Sequence, residues 1–194
     1  LQGEQFHSER QLRQAGIELI GTASPEADAE VILVAANALQ KAGIRKLSID
    51  LNLPGIVASL LAMEKLDNAQ AEKLFQAVAH KDVSALKTMP IAYRDTLVAL
   101  MQAAGPAANA LSAIERLDLP DSARKQVRDL ADVVHILNAC GNADWTLTVD
   151  ATENRGLSYH SGINFSIFIP GAAFEVGRGG RYLIEGGVGH DIEA

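Results

Sequence analysis

Residues 153–168, ENRGLSYHSGINFSIF, hold the side chains most able to do chemistry. A guanidinium such as that of Arg155 can form two parallel hydrogen bonds to a carboxylate or a phosphate. Gly156 would let the backbone turn sharply or let a ligand approach. The following strand pattern puts Tyr159 on one face and His160 on the other. These residues could therefore form an anion-binding turn. Taken alone, however, they are better explained by an exposed Arg155 in a turn and by Tyr159 packed in the core.

A second polar pair lies near the start of the chain, where Gln14 and Glu18 stand four residues apart in LRQAGIELIG, residues 12–21. The alternation predicts a strand on which both side chains share a face, about 13 Å apart at about 3.3 Å per residue. Gly16 lies between them without a side chain, so the pair could form the floor of a small-molecule pocket. A solvated strand face explains the same pattern more simply.

The remaining motifs favour structural roles. VGRGGRYLIEGGVG matches neither the phosphate-loop nor the dinucleotide pattern, and we expect Gly177, Gly179 and Gly180 to form a tight turn between strands. The five histidines are dispersed, which predicts no metal site, and no cofactor motif is present. Cys140 lies at a helix end without an obvious base, so we expect it to pack rather than react.

Composition indicates a soluble globular protein outside the secretory pathway. Of 194 residues, 48% are hydrophobic and 21% charged, with no apolar run of the ~18 residues that span a bilayer and no signal peptide. A single cysteine excludes an intrachain disulfide and fits a reducing compartment, the cytoplasm. A net charge of −7 argues mildly against a nucleic-acid partner, which usually requires a basic face.

The elements that must position these residues form an α+β pattern. Ser24 as N-cap, Pro25 at the first helical position and Gly43 as a stop predict a helix, and KLSIDLN at 46–52 predicts a strand before a short helix near Pro54. Three later segments, DWTLTVDA, SGINFSIFIP and GGRYLIEGG, predict strands whose glycine turns favour antiparallel pairing. The sheet is therefore expected to draw strands from both ends of the chain.

Between these strands the chain is rich in alanine and leucine at helical spacing. This pattern predicts a helical insertion over residues 67–141. The first part of the core would then span residues 1–66, and the second part residues 142–194.

Read together and in this order, the segments resemble the histidyl-tRNA synthetase family. RQLRQAGIELIG is similar to its motif-2 strand, SPEADAEVILVAANALQKAG to the helix that follows, and NRGLSYHSGINF to its histidine-specific segment. The resemblance covers residues of about 10–62 and 145–185. It implies a class II aminoacyl-tRNA synthetase-like antiparallel sheet flanked by helices, with a helical insertion.

Several substitutions make the chain more similar to that family's noncatalytic paralogue, the regulatory subunits of ATP phosphoribosyltransferase. Ser158 stands where the synthetases have Asp, and His160 where they have a Tyr that contacts the imidazole. Asn164 and Ser166 interrupt the usual Val-Phe-Glu pattern.

The resemblance also implies a role for each candidate residue in holding a histidine. Gln14 would accept a hydrogen bond from the α-ammonium group of the bound histidine, and Glu18 would accept one from an imidazole N–H. Arg155 would pair with its carboxylate, and Tyr159 would line the imidazole pocket. An imidazole reaches less far than a Tyr hydroxyl and ordinarily titrates near pH ~6.5, so His160 would make histidine affinity weaker or more pH-dependent than in a synthetase.

The resemblance therefore implies a regulatory subunit of histidine biosynthesis without catalysis of its own. It would bind histidine as effector, form a homodimer through its core, and join the short-form catalytic subunit in a hetero-oligomer, without tRNA or membrane. A divergent or truncated histidyl-tRNA synthetase is the alternative, and a synthetase-like domain for another amino acid is a third.

Overall fold

The computed structural model describes residues 14–64, 66–141, 144–153, 160–172, 174–186 and 190–193. Within these ranges the chain forms seven helices and six strands. The helices are α1 (Pro25–Lys41), α2 (Pro54–Leu61), α3 (Asn68–Ala79), α4 (Val83–Lys87), α5 (Arg94–Gln102), α6 (Ala107–Ile114) and α7 (Asp121–Cys140). The strands are β1 (Leu47–Asn52), β2 (Gly105–Pro106), β3 (Trp145–Asp150), β4 (His160–Phe168), β5 (Gly177–Gly186) and β6 (His190–Glu193).

Helix α1 begins and ends where its capping residues predict. The Ser24 side chain accepts a hydrogen bond from the backbone N–H of Ala27, which satisfies one of the amides that a helix start leaves without a partner. Pro25 occupies the first turn, and the helix ends at Lys41. Gly43 follows with a φ of +91°, a left-handed conformation that glycine adopts without a steric penalty.

The predicted helical stretch is confirmed as α3 to α7, with only the two-residue β2 between α5 and α6. Helix α7 packs against α1 and α2, and its buried residues share one hydrophobic core with the sheet. The boundaries of an insertion at residues 67 and 141 stay a prediction. Cys140 is exposed, so its predicted packing role is wrong: the helix ends there, beyond its last buried residue, Leu137.

The sheet has the order β2-β3-β1-β4-β5-β6, so β1 from the first half of the chain lies between two strands of the second half. Assembly from both ends of the chain is thereby confirmed. The pairs β2–β3, β1–β4, β4–β5 and β5–β6 are antiparallel as expected. The β1–β3 pair is parallel, because the long helical connection returns the chain to the same end of the sheet before β3 begins.

Two predictions about local backbone are wrong. Residues 14–20 form no strand; nearly all are exposed, so alternation there has no core to face. Gly177, Gly179 and Gly180 lie inside β5 rather than in a turn. The reason is visible at Gly179, where a Cβ would lie 2.6 Å from Cε1 of Phe165 on the neighbouring strand, so the aromatic ring requires a residue without a side chain.

One face of the sheet belongs to the core, and helices α1, α2 and α7 contact its central strand β4. The buried side chains of this face are Leu47, Ile49, Leu51, Val149, Ile163, Phe165 and Ile167.

A bidentate ion pair connects α1 to β5: Arg181 Nη2 and Nε lie 2.6 and 3.2 Å from the Asp28 carboxylate oxygens. Both side chains are about nine-tenths buried, at 10% and 11% exposure. Among the described helices, none has both the length and the apolar content needed to cross a bilayer.

Candidate functional site

The opposite face of the sheet is polar at its centre, because polar residues alternate with the core residues along β1, β3 and β4. The register aligns these residues in two rows across the three strands. One row is Asp150, Asn52 and Asn164, and the other is Thr148, Asp50 and Ser166. We call these six residues the polar face. Asn52, Asn164 and Ser166 are buried at 4%, 8% and 4% exposure, so their hydrogen bonds matter for stability.

Hydrogen bonds join the polar face across β1 and β3. Asn52 Nδ2 donates to Asp50 Oδ2 at 3.2 Å and to the backbone oxygen of Asp150 at 3.3 Å. Thr148 Oγ1 donates to Asp50 Oδ1 at 2.8 Å. Both carboxylate oxygens of Asp50 therefore have donors, which fixes the side chain rigidly within the sheet.

The same face borders a cavity of about 10 Å³ between β1, β4 and β5. Ser166 Oγ donates to Glu175 Oε2 at 2.8 Å, and Arg178 Nη1 lies 3.1 Å from Glu175 Oε1. Asn164 Oδ1 is buried in the cavity wall and has no hydrogen-bond partner within the described part of the chain. A cavity of this size has room for about one water molecule and is too small to hold an amino acid.

Glu18 is brought to the sheet by a contact that the sequence did not indicate. Its Oε1 accepts a hydrogen bond of 2.8 Å from the hydroxyl of Tyr182 on β5. Gln14 lies in the same irregular segment and is exposed. Open space surrounds the position where Gly16 would carry a Cβ, so no other group approaches closely there.

His160 lies opposite the same tyrosine. It is the first residue of β4, and its register partner on β5 is Tyr182. Tyr182 is therefore both the hydrogen-bond partner of Glu18 and the register partner of His160, although the sequence separates these residues widely. Arg155 and Tyr159, the other two predicted site residues, lie outside the described residues.

Sequence reasoning missed Tyr182, Asn52 and Asp150. The signal for the last two was present, because LSIDLN and WTLTVD each alternate polar and apolar residues and so predict one polar face. Tyr182 carried no such signal: its segment was predicted as a strand, but nothing in the sequence linked it to Glu18, which lies 164 positions away. In the ranges that the structure describes, no three His, Cys, Asp or Glu side chains cluster as a metal site would require.

This arrangement of sheet and helices has solved counterparts. A Bacillus halodurans C structure described as an ATP phosphoribosyltransferase regulatory subunit/histidyl-tRNA synthetase matches with a TM-score of 0.73 and 22% identity, covering 84% of this chain and 44% of its own. The ATP phosphoribosyl transferase (HisG:HisZ) complex from Thermotoga maritima matches with a TM-score of 0.70 and 16% identity, covering 90% of this chain and 61% of its own. The fold is that of the class II aminoacyl-tRNA synthetases, which confirms the predicted fold class.

The sequence identifies the family within that class. The model of the histidyl-tRNA synthetase family matches residues 1–194, so the chain belongs to this family. An ATP phosphoribosyltransferase regulatory subunit from Paramagnetospirillum magneticum is 43% identical over 187 residues, which cover 96% of this chain and 49% of that protein. The chain thus spans about half the length of the curated relatives it matches.

Proposed function

We propose that the chain is the synthetase-like core of a regulatory subunit of ATP phosphoribosyltransferase, acting in histidine biosynthesis without catalysis of its own. The observation that carries this proposal is the 43% identity, over 96% of the chain, to a relative of that name. Ser158 and His160 add support, because both depart from the synthetase pattern within its histidine-specific segment.

The proposed effector is histidine, held at the edge of the polar face by Gln14, Glu18, Arg155, Tyr159 and His160. Glu18 would hold an imidazole N–H, and Arg155 would pair with the ligand's carboxylate. Tyr182 supports a single pocket for these groups, because it donates a hydrogen bond to Glu18 and is the register partner of His160.

The proposed partner is the catalytic subunit of ATP phosphoribosyltransferase, in a hetero-oligomer that also contains a homodimer of this core. The fold match to a HisG:HisZ complex supports this partner. The net charge of −7 and the single cysteine fit a cytoplasmic protein that binds neither tRNA nor membrane.

Feedback places a physical requirement on this proposal. Histidine must bind one arrangement of the hetero-oligomer more tightly than another, because a ligand that binds both equally shifts neither population. The subunit would raise the catalytic subunit's phosphoribosyl transfer, and histidine would oppose that effect.

The test uses the full-length protein mixed with a short-form catalytic subunit. Phosphoribosyl transfer to ATP is measured with and without the protein, and then with increasing histidine. Activation by the protein and inhibition by histidine are the expected results; failure to bind or activate the catalytic subunit would refute the proposal. Calorimetry with Glu18→Ala and Arg155→Ala, each expected to weaken histidine binding, tests the pocket separately.

The alternative function is a divergent or truncated histidyl-tRNA synthetase, which the family match favours. Histidine-dependent exchange between ATP and pyrophosphate separates the two proposals, because only the synthetase activates histidine. A third possibility, a synthetase-like domain for another amino acid, is tested by repeating the calorimetry with the other amino acids.

A further inference from the structure

Arg181 of β5 is held on two sides, by α1 and by β4. Its guanidinium donates to both carboxylate oxygens of Asp28, in the first turn of α1, at 2.6 and 3.2 Å. Its stem lies against the backbone of Gly162 on β4, where an added Cβ would meet Arg181 Cβ at 2.9 Å and Cδ at 3.1 Å. Because a guanidinium forks onto a carboxylate in a planar geometry, Arg181 fixes α1 against the two strands in one arrangement.

The contact with Gly162 falls on an irregularity of β4. The register shifts between His160 and Asn164, and the three residues between them, 161–163, oppose Arg181 alone. A bulge of this kind bends its strand and re-aims the residues beside it, and such bulges are frequent next to functional sites. The stem of Arg181 lies against this bulge, so it supports the end of β4 at which His160 stands.

The same stretch of β5 also holds the segment that precedes α1. Arg181 and Tyr182 are consecutive, so their side chains point to opposite faces of the strand. Tyr182 donates to Glu18, and Arg181 donates to Asp28 further along the chain. Most of the segment between these two contacts is exposed, and α1 begins only at Pro25. The placement of Glu18 therefore depends on the contacts at both ends of this segment.

We propose that Arg181 is a positioning residue of the histidine site, which keeps Glu18 and the end of β4 in a fixed relative position. The proposal rests on the histidine site proposed above, where Glu18 would accept from an imidazole N–H and His160 would contact the ring. The ion pair with Asp28 anchors the segment that carries Glu18, and the contact with Gly162 supports the strand end that carries His160. A hydrogen bond weakens steeply as it departs from linearity, so a shift of either part would lower the selectivity for imidazole.

The experiment compares two ligands by calorimetry on the full-length protein: histidine, and thienylalanine, whose five-membered ring has no N–H group. The wild type should bind histidine more tightly by about tenfold or more, as expected for a hydrogen bond to a charged group such as Glu18. Asp28→Asn keeps the side-chain shape but removes the carboxylate, and it should lower this ratio by about fivefold or more. Asp95→Asn removes an exposed carboxylate paired with Arg94 on α5; it is the matched control and should keep the wild-type ratio.

Two further variants keep the test decisive if Asp28→Asn folds poorly. Gly162→Ala leaves both charges in place but brings a Cβ against the stem of Arg181, so it should lower the ratio as well. The double variant Asp28→Leu/Arg181→Met replaces the ion pair with apolar contacts, which often leaves stability unchanged or higher. It has no directional hydrogen bonds between α1 and β5, so it should fold and still show the low ratio.

A purely structural ion pair would change the melting temperature but leave the wild-type ratio in every variant that folds. That outcome would overturn the inference. A wild type that binds no histidine, or that binds histidine and thienylalanine equally, would instead overturn the proposed histidine site, and this inference with it.

Discussion

Gly179 lies against the ring of Phe165, and replacing it with alanine should destabilise the sheet. The added Cβ would lie 2.6 Å from Phe165 Cε1 and 2.7 Å from Cζ, whereas carbon atoms pack at about 3.5–4.0 Å. The ring would have to move by about 1 Å, and since Phe165 is only 6% exposed it has little open space to enter. Overpacking of this kind costs about 1–3 kcal/mol, which lowers the melting temperature of a chain of this size by about 2–12 °C.

Gly177→Ala is the matched control on the same strand. Its added Cβ would meet Ile167 Cδ1 at 3.6 Å, an ordinary contact, so its free energy of unfolding should change by less than about 0.5 kcal/mol. Both variants replace a strand glycine, so the change in unfolded-chain entropy is nearly the same in each. Thermal and urea unfolding measure the difference. Equal melting temperatures for the two variants would refute the assignment of Gly179 to close packing against Phe165.

Three further predictions test the contacts around α1 and β5. Asp28→Asn removes the carboxylate paired with the nearly buried Arg181 and should cost about 3–5 kcal/mol in urea unfolding; a loss below 1 kcal/mol would contradict the importance of this pair. Tyr182→Phe should change stability by less than about 1 kcal/mol, because its bond to Glu18 is exposed, yet weaken histidine binding severalfold in calorimetry; unchanged affinity would argue against Glu18 as a ligand. Ser24→Ala should cost about 1 kcal/mol, and Ser24→Thr much less; equal melting temperatures would contradict the capping role.

Much of the secondary structure could be predicted because its causes are local. The cap of α1 at Ser24, its stop before Gly43 and the strand at residues 47–52 each depend on groups a few positions apart. The same rule failed at residues 14–20, where alternation was present without a neighbouring strand or a buried face. A periodic pattern states which side chains share a face, and only a packed partner makes that face a strand.

The candidate site was only partly within reach of the sequence. Gln14, Glu18 and His160 could be selected by their resemblance to a known pattern, and the structure brings Glu18 and His160 to Tyr182. That tyrosine lies 164 positions from Glu18. Likewise, the Lys81 Nζ lies 2.8 Å from Asp150 Oδ1, although the two residues are 69 positions apart. No local rule links residues at such separations.

The sequence by itself determined the helices, most of the strands, the family resemblance and the residue types that a histidine site would need. The tertiary structure decided that β1 lies between β3 and β4, that the ring of Phe165 packs directly against Gly179, and that Lys81 pairs with Asp150. The physical reason is that capping and periodicity act over a few residues of chain. Strand order, register and side-chain contact depend instead on which distant surfaces pack together, and that becomes definite only when the whole core is assembled.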